Sequence, residues 1–367
     1  INSAGDVIAV GGVGGTGFTP GVVRVYRLNS TSGVWQQVGY DIRPTDITDS
    51  DSFGHKVEIN AAGNIVAVSA PTRDVGSLSN VGTVRVYRWN DLFWEQIGGD
   101  INGSVANAQS GYSLGMDKTG NIIAVGAPYD DAPSLTNAGS VTVYKFTTSG
   151  WNVVGSVIYG DGTEWRSGTG VSLNSEGDIV FVGSNQADSA VYGPGRAQAH
   201  IFNGSSWEPL GGALEGITGG DSYGFCVAAN SAGDIVAVGS QLGDTGGTNS
   251  GYIKVFKLDG TVWNQIGSTI NGAVLSRIGR KISLNSAGTR LVAGGEYFSA
   301  EKGLVRVYEF YSRTNQWIQI GGDITSTDTD RVGSSVDINA EGNRIIVGSR
   351  YRDVGNPGAV KVLDLGI

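Results

Sequence analysis

The sequence predicts an all-β protein: a seven-bladed β-propeller of four-stranded antiparallel blades, with the first and last blades incomplete. Three observations carry that prediction. A tight turn recurs seven times, its glycines at Gly5, Gly63, Gly120, Gly177, Gly233, Gly288 and Gly342, spaced by 54 to 58 residues. Each turn is followed by an apolar run and then by a strictly alternating one. No segment shows the 3.6-residue periodicity of a capped helix. Four-stranded units at a fixed period, without helices, are the mark of a propeller, in which each blade shelters against the next.

Each repeat begins with a short strand such as HKVEIN at 55–60 or RKISLN at 280–285. The turn that follows places Asn or Asp three residues before Gly, a pairing suited to a hairpin with one left-handed position. The second strand is nearly all apolar (IVAV at 65–68, IIAV at 122–125), as expected when both faces are covered. The third alternates, as in VRVYR at 84–88 and IKVFK at 253–257. The fourth opens on Trp35, Trp94, Trp151, Trp207, Trp263 or Trp317, each followed four residues later by Gly. These tryptophans read as blade-packing anchors. The repeats fall at about 1–52, 53–110, 111–167, 168–222, 223–278, 279–331 and 332–367 of one propeller domain. The first lacks its inner strand and the last its outer one, so either flanking sequence or a neighbouring molecule is expected to supply the missing strands, or the chain is a trimmed piece. Starting at Ile1, the chain is expected to be a piece of something longer.

Composition narrows the function classes. Of 367 residues, 40% are hydrophobic and 16% charged, enough apolar material for a core and too little net charge for disorder. No apolar run is long enough for a membrane helix. A net charge of −9 opposes nucleic-acid binding. One cysteine and two histidines exclude an internal disulfide and a Cys/His zinc site. His55, on the inner strand of the second blade, and His200, on the third strand of the fourth, fall in non-adjacent blades and form no dyad.

The residue marks resemble the FG-GAP repeats of integrin α-chain heads and many surface proteins. The inner-strand mark is Phe53-Gly54 and Tyr223-Gly224, relaxed to Gly111-Tyr112 and Val332-Gly333. The second mark is Gly126-Ala127-Pro128 and Ser69-Ala70-Pro71. Tyr87 to Trp94 and Tyr144 to Trp151 also resemble kelch blades. The resemblance implies the propeller fold and a family that spans adhesion, lectin-like and enzymatic members. Calcium-binding FG-GAP repeats carry a D-x-D-x-D-G type loop; here an Asn-x-x-Gly turn stands in its place, too short to wrap the cation.

Several residues are candidates for chemistry. Asp74, Asp131, Asp188, Asp244 and Asp353 recur at one register after the second strand, with Thr16 and Ser299 in the other copies. They form either a ring of ligand-binding carboxylates or a set of turn caps. Asp46, Asp49 and Asp51, and Asp328 with Asp330, are acidic loops that could meet calcium but lack the closing Gly and Glu. Asp161 and Trp165, with Glu164 and Arg166, could suit a sugar. Arg24, Arg85, Lys254, Arg306 and Lys361 make either a basic stripe for an anionic partner or a polar strand face balancing the acidic loops. Asn29, Asn102 and Asn203 head glycosylation sequons in predicted loops or turns. The sequence is therefore expected to be a non-enzymatic extracellular or cell-surface module without a cofactor, meeting other chains or copies of itself through loops and unpaired edges. A carbohydrate-binding propeller is the alternative, and a polysaccharide-active enzyme the third.

Overall fold

The computed structural model describes residues 1–13, 21–186, 193–350 and 358–366. The fold is a seven-bladed β-propeller of antiparallel sheets. The first blade holds three strands, Val7–Gly12, Val22–Leu28 and Trp35–Gln37, and the last holds Val332–Ile338, Arg344–Ser349 and Ala359–Asp364. A complete blade runs Val57–Ile59, Ile65–Ala70, Thr83–Trp89 and Trp94–Gln96 in sequence order across its sheet. Four two-residue strands go beyond the sequence reading. Ile101–Asn102, Ile158–Tyr159, Leu214–Glu215 and Ile270–Asn271 each pair with the start of their blade's third strand. Asn102 thus sits on a strand rather than in the expected loop.

The chain divides into two compact units, Ile1–Leu173 with Phe202–Trp207, and Asn174–Ile201 with Glu208–Ile367. The first holds blades one to three and the strand Ser167–Leu173; the second holds blades five to seven, and the fourth repeat is divided between them.

In the first unit, the recurrent turn is explained by capping. Asn60 Oδ1 accepts the backbone N–H groups of Asn64 and Ile65, both at 2.9 Å, and Gly63 N–H donates to the Asn60 carbonyl. A short side chain with an acceptor oxygen is required at that position, which is why only Asn or Asp recurs there. The strand that follows, Ile65–Ala70, is buried at every residue, so its apolar run reflects two covered faces. Ile65, Val86, Ile101, Leu114 and Ile123, from blades two and three, form one core cluster. Neighbouring blades thus supply each other's hydrophobic shelter.

The spacing of Trp and Gly has the same inter-blade origin. The indole N–H of Trp151 donates to the Ile97 carbonyl at 3.0 Å, and the ring lies against Gly98, where an added Cβ would stand 2.8 Å from Trp151 Cδ1. The glycine of one blade therefore makes room for the tryptophan of the next. In the second unit Trp317 repeats the arrangement on Ile266 and Gly267.

The three arginines of the basic stripe make ion pairs with aspartates of their own blade, and Arg85 reaches one of the preceding repeat as well. Arg24 grips Asp41 through two bonds of 2.8 and 3.0 Å, and Arg306 grips Asp323 in the same way. Arg85 holds Asp100 and also Asp46, with bonds of 2.6 to 2.8 Å. A glutamine four residues before the aspartate donates to it each time: Gln37, Gln96 and Gln319. The guanidinium beside each of Asp41, Asp46 and Asp323 holds its carboxyl below the ordinary range. Asp100 is lowered as well, its arginine and glutamine contacts outweighing burial.

Candidate functional site

Most of the carboxylates singled out by the sequence serve the loops. Asp74 and Asp131 each accept a backbone N–H six residues on, from Asn80 and Asn137 at 2.8 Å, and Asp244 accepts that of Asn249 at 2.7 Å. They are turn caps. Asp188, Asp353 and Thr16 lie outside the described residues. Asp51 accepts the N–H and hydroxyl of Thr48, and Asp330 accepts the hydroxyl of Ser326. Asp46 is held by Arg73 as well as Arg85. Asp49 sits in a short 3-10 turn, and Asp328 accepts the Thr327 hydroxyl at 3.5 Å. Among the described residues, no three His, Cys, Asp or Glu side chains come together as a metal site. A pocket of about 420 Å³ in the second unit is lined by Asp221, Leu242, Asp244, Thr245 and Asn249. Both of its carboxylates are engaged, Asp221 by the Thr218 N–H at 2.9 Å and the Tyr252 hydroxyl at 3.0 Å.

Charged and aromatic side chains gather instead where the chain enters several of the first strands. There a turn brings a left-handed glycine against the preceding blade. At Gly224, with φ +84°, an added Cβ would stand 2.1 Å from the Arg196 carbonyl oxygen, so no other residue fits. The residue after this glycine varies from repeat to repeat: His55, Tyr112, Thr169, Phe225, Arg280 and Ser334. The residue two before it is also left-handed and also varies, being Arg166, Arg277 and Arg331 in three copies. A third variable position follows the second strand, with Tyr129 and Tyr297. The repeat thus presents fixed backbone and changing side chains at one kind of place.

In the second unit these positions build a cationic aromatic cluster. Three guanidinium groups surround the Tyr297 ring: Arg277 at 4.4 Å, Arg331 at 5.3 Å and Arg280 at 5.9 Å from its centroid. Arg280 also lies 5.0 Å over Phe225. Glu296, only 4% exposed, stands 2.8 Å from Arg280 Nε, and the Gln241 side chain accepts from the same guanidinium. Arg331 pairs with Glu301 at 3.0 Å. The turn that delivers Tyr297 and Glu301 is strained. Ser299, Ala300 and Glu301 have φ of 50, 57 and 70°, three successive left-handed residues without a glycine. Strain of this kind persists where the surrounding structure imposes it, commonly at functional sites.

The first unit carries a lesser version. His55, Tyr112 and Tyr129 form a row with centroid spacings of 5.5 and 6.4 Å, and Arg166 lies 5.2 Å over Tyr129. His55 is exposed in the bend before Val57–Ile59, not on the strand where the sequence placed it, and His200 lies on the strand Arg196–Phe202. Glu164 accepts from Asn137 at 2.7 Å and pairs with Arg166. Asp161 is exposed nearby in sequence, and Trp165 packs over Gly162. The sequence reading noticed this loop but not its tyrosine partner, and it missed the arginine cluster entirely. The signal for it is the variability of the residues around the inner-strand glycines.

No protein-family model matches the chain, and no curated protein matches it in sequence. Solved structures do match. A protein named as a 6-phosphogluconolactonase from Bacteroides uniformis is 12% identical, with a TM-score of 0.63, over 98% of this chain and 100% of its own. The periplasmic gluconolactonase of Pseudomonas aeruginosa is 15% identical, with a TM-score of 0.60, over 98% and 96%. A second protein named as a 6-phosphogluconolactonase, from Bacteroides fragilis, is 13% identical, with a TM-score of 0.59, over 99% and 95%. At such identities the likeness shows the fold. It also corrects the expectation of a non-enzymatic surface module with a carbohydrate-binding alternative. That expectation was carried by family resemblance, and propellers matching nearly the whole chain bear the names of sugar-lactone enzymes instead. Among the described residues, no helix is long and apolar enough to cross a membrane.

Proposed function

We propose that the protein is a hydrolase of sugar lactones, with its site at the arginine cluster of the second unit. The observation that carries this reading is the convergence of Arg277, Arg280 and Arg331 on Tyr297 beside Phe225. A sugar lactone presents apolar C–H groups, which stack on aromatic faces, and an ester carbonyl that gains negative charge as water attacks. Guanidinium donors fixed beside that oxygen stabilise the charge without reorganising, the largest contribution in most acyl-transfer sites. Glu296 and Gln241 hold Arg280 in place. Glu301, whose side chain keeps 22% of its exposure, takes the proton of the attacking water. The ring C–O bond then breaks, the ring oxygen gains a proton, and the open hydroxy acid leaves. The lactonase names of the similar structures support the reading, and the periplasmic one supports a place outside the cytosol.

The test is acid release from aldono-lactones, followed in weak buffer with a pH indicator against the spontaneous rate. Acceleration by the wild type is expected, and Arg280→Met should lower kcat by about 10²-fold, the usual loss of one oxyanion donor. A wild-type rate equal to the spontaneous one overturns the proposal.

A further inference from the structure

The pocket of the second unit shares no residue with the arginine cluster, and its volume of about 420 Å³ suits a small molecule. Each of its two carboxylates is engaged through one oxygen only. Asp221 ends a T-x-x-D turn that also occurs before the second blade's first strand, as Thr48 to Asp51. There the turn closes on itself. Thr48 gives its N–H to one carboxylate oxygen at 2.8 Å and its hydroxyl to the other at 2.9 Å. In the fifth blade Thr218 gives only its N–H, to Asp221 Oδ2, and the Tyr252 hydroxyl donates to the same oxygen. Oδ1 accepts no hydrogen bond among the described residues, although Asp221 is only 5% exposed and lines the pocket. Native proteins seldom leave an acceptor on a buried side chain unused.

The rest of the pocket has the same bias. Asp244 accepts the Asn249 N–H on Oδ1 and nothing on Oδ2 among the described residues. No lysine, arginine or histidine lines the pocket among the described residues. Lys254 turns its ammonium to the Glu215 carbonyl and to the Tyr223 and Tyr252 rings, and forms no ion pair with Asp221. Leu242 is the one large apolar side chain of the lining, while Thr218 and Asn249 bring a hydroxyl and an amide. Among the described residues no third His, Cys, Asp or Glu joins the two carboxylates, and a hard metal ion wants six to eight oxygens around it. An organic cation fits the space and the charge better.

We propose that this pocket binds a small hydroxylated primary amine, whose ammonium group donates to Asp221 Oδ1. Such a charge-assisted bond is about twice as strong as a neutral one. Asp244, exposed at the rim, adds negative charge, and the hydroxyls of the amine meet Thr218 and Asn249. Thr218 and Tyr252 hold the carboxylate in place before the ligand arrives, which lowers the cost of binding. This inference is independent of the hydrolase reading, because it concerns other residues and needs no turnover.

Ligand-observed NMR titration at neutral pH and low salt tests it. The probe is serinol, and glycerol, which carries a hydroxyl in place of serinol's ammonium, is the neutral match. Serinol should bind and glycerol should not. Asp221→Asn keeps an oxygen for Thr218 and Tyr252 while removing the charge, so it should fold and weaken serinol about tenfold or more. Asp244→Asn, which can still cap Asn249, should weaken it by less, because that carboxylate is exposed. Asp259→Asn makes an equal change of charge on an exposed residue outside the pocket and should leave binding as it was. No binding of serinol, equal binding of glycerol, or undiminished binding in a folded Asp221→Asn overturns the proposal. So does an effect of Asp259→Asn as large as that of Asp244→Asn, a comparison that stands even where Asp221→Asn fails to fold.

Discussion

Replacing Arg85 by Met should cost far more stability than the same change at Arg24, although both occupy one register. Arg85 is nearly buried, with 7% of its side chain exposed, and makes four charge-assisted bonds of 2.6 to 2.8 Å to Asp46 and Asp100. Its loss leaves two carboxylates without their main partner. Breaking a buried pair from one side costs about 3–5 kcal/mol. Two features reduce that figure: Arg73 still reaches both carboxylates, at 2.7 and 3.2 Å, and Asp46 keeps 53% of its exposure. The expected cost is therefore about 2–3 kcal/mol. Arg24, at 45% exposure, grips Asp41 alone, and an exposed pair contributes under ~1 kcal/mol. Urea unfolding followed by tryptophan fluorescence compares the two, read as a shift in midpoint at unchanged slope. Asp46→Asn added to Arg85→Met should recover part of the loss, since it removes one stranded charge. Equal costs at Arg24 and Arg85, or no recovery in the double variant, would refute the assignment of this cost to burial.

The other predictions concern strain, inter-blade bonding and acid. Ala300→Gly removes a left-handed penalty of about 1–2 kcal/mol and adds unfolded-state entropy of about half that, so it should raise the thermal midpoint slightly. Trp151→Phe deletes the indole N–H bond to Ile97 and should cost about 1 kcal/mol in the urea assay, more if the smaller ring leaves a void beside Gly98. Asp41, Asp46, Asp100 and Asp323 titrate below their ordinary values in the folded protein, so their contribution is complete above the unfolded carboxylate pKa of about 3.9 and is lost as pH falls through the folded values. Urea midpoints should therefore fall below about pH 4, and more shallowly in Arg85→Met. Asp130, raised by burial, works in the opposite direction, so Asp130→Asn should stabilise the protein at neutral pH.

Tyr87 shows how the third strand combines these forces, since burial pushes its hydroxyl up to about 12 even beside Arg85. The aromatic position of the alternating pattern is a core position, and the Arg two residues earlier faces the ion pairs. The sequence displayed that alternation but not which charges would meet.

The sequence alone determined the repeat and its main strands, because those depend on local chemistry that recurs from blade to blade: a capping Asn or Asp, an apolar second strand and, in six of the seven repeats, a tryptophan followed by glycine. It also exposed the three-stranded first and last blades. The tertiary structure alone decided what the charges do. Asp46 and Arg85 are 39 residues apart, and Arg277, Arg280 and Arg331 reach one ring from two blades. Such meetings depend on how far one blade is turned against the next, a geometry set by packing over the whole sheet rather than by any short stretch of residues. The periodic aspartates were legible both as a pattern and as turn caps, and the loop bonds of Asp74, Asp131 and Asp244 bear the second reading out. A carboxylate bonding to its own loop and one aimed at a ligand are spelled alike, and only the folded backbone separates them.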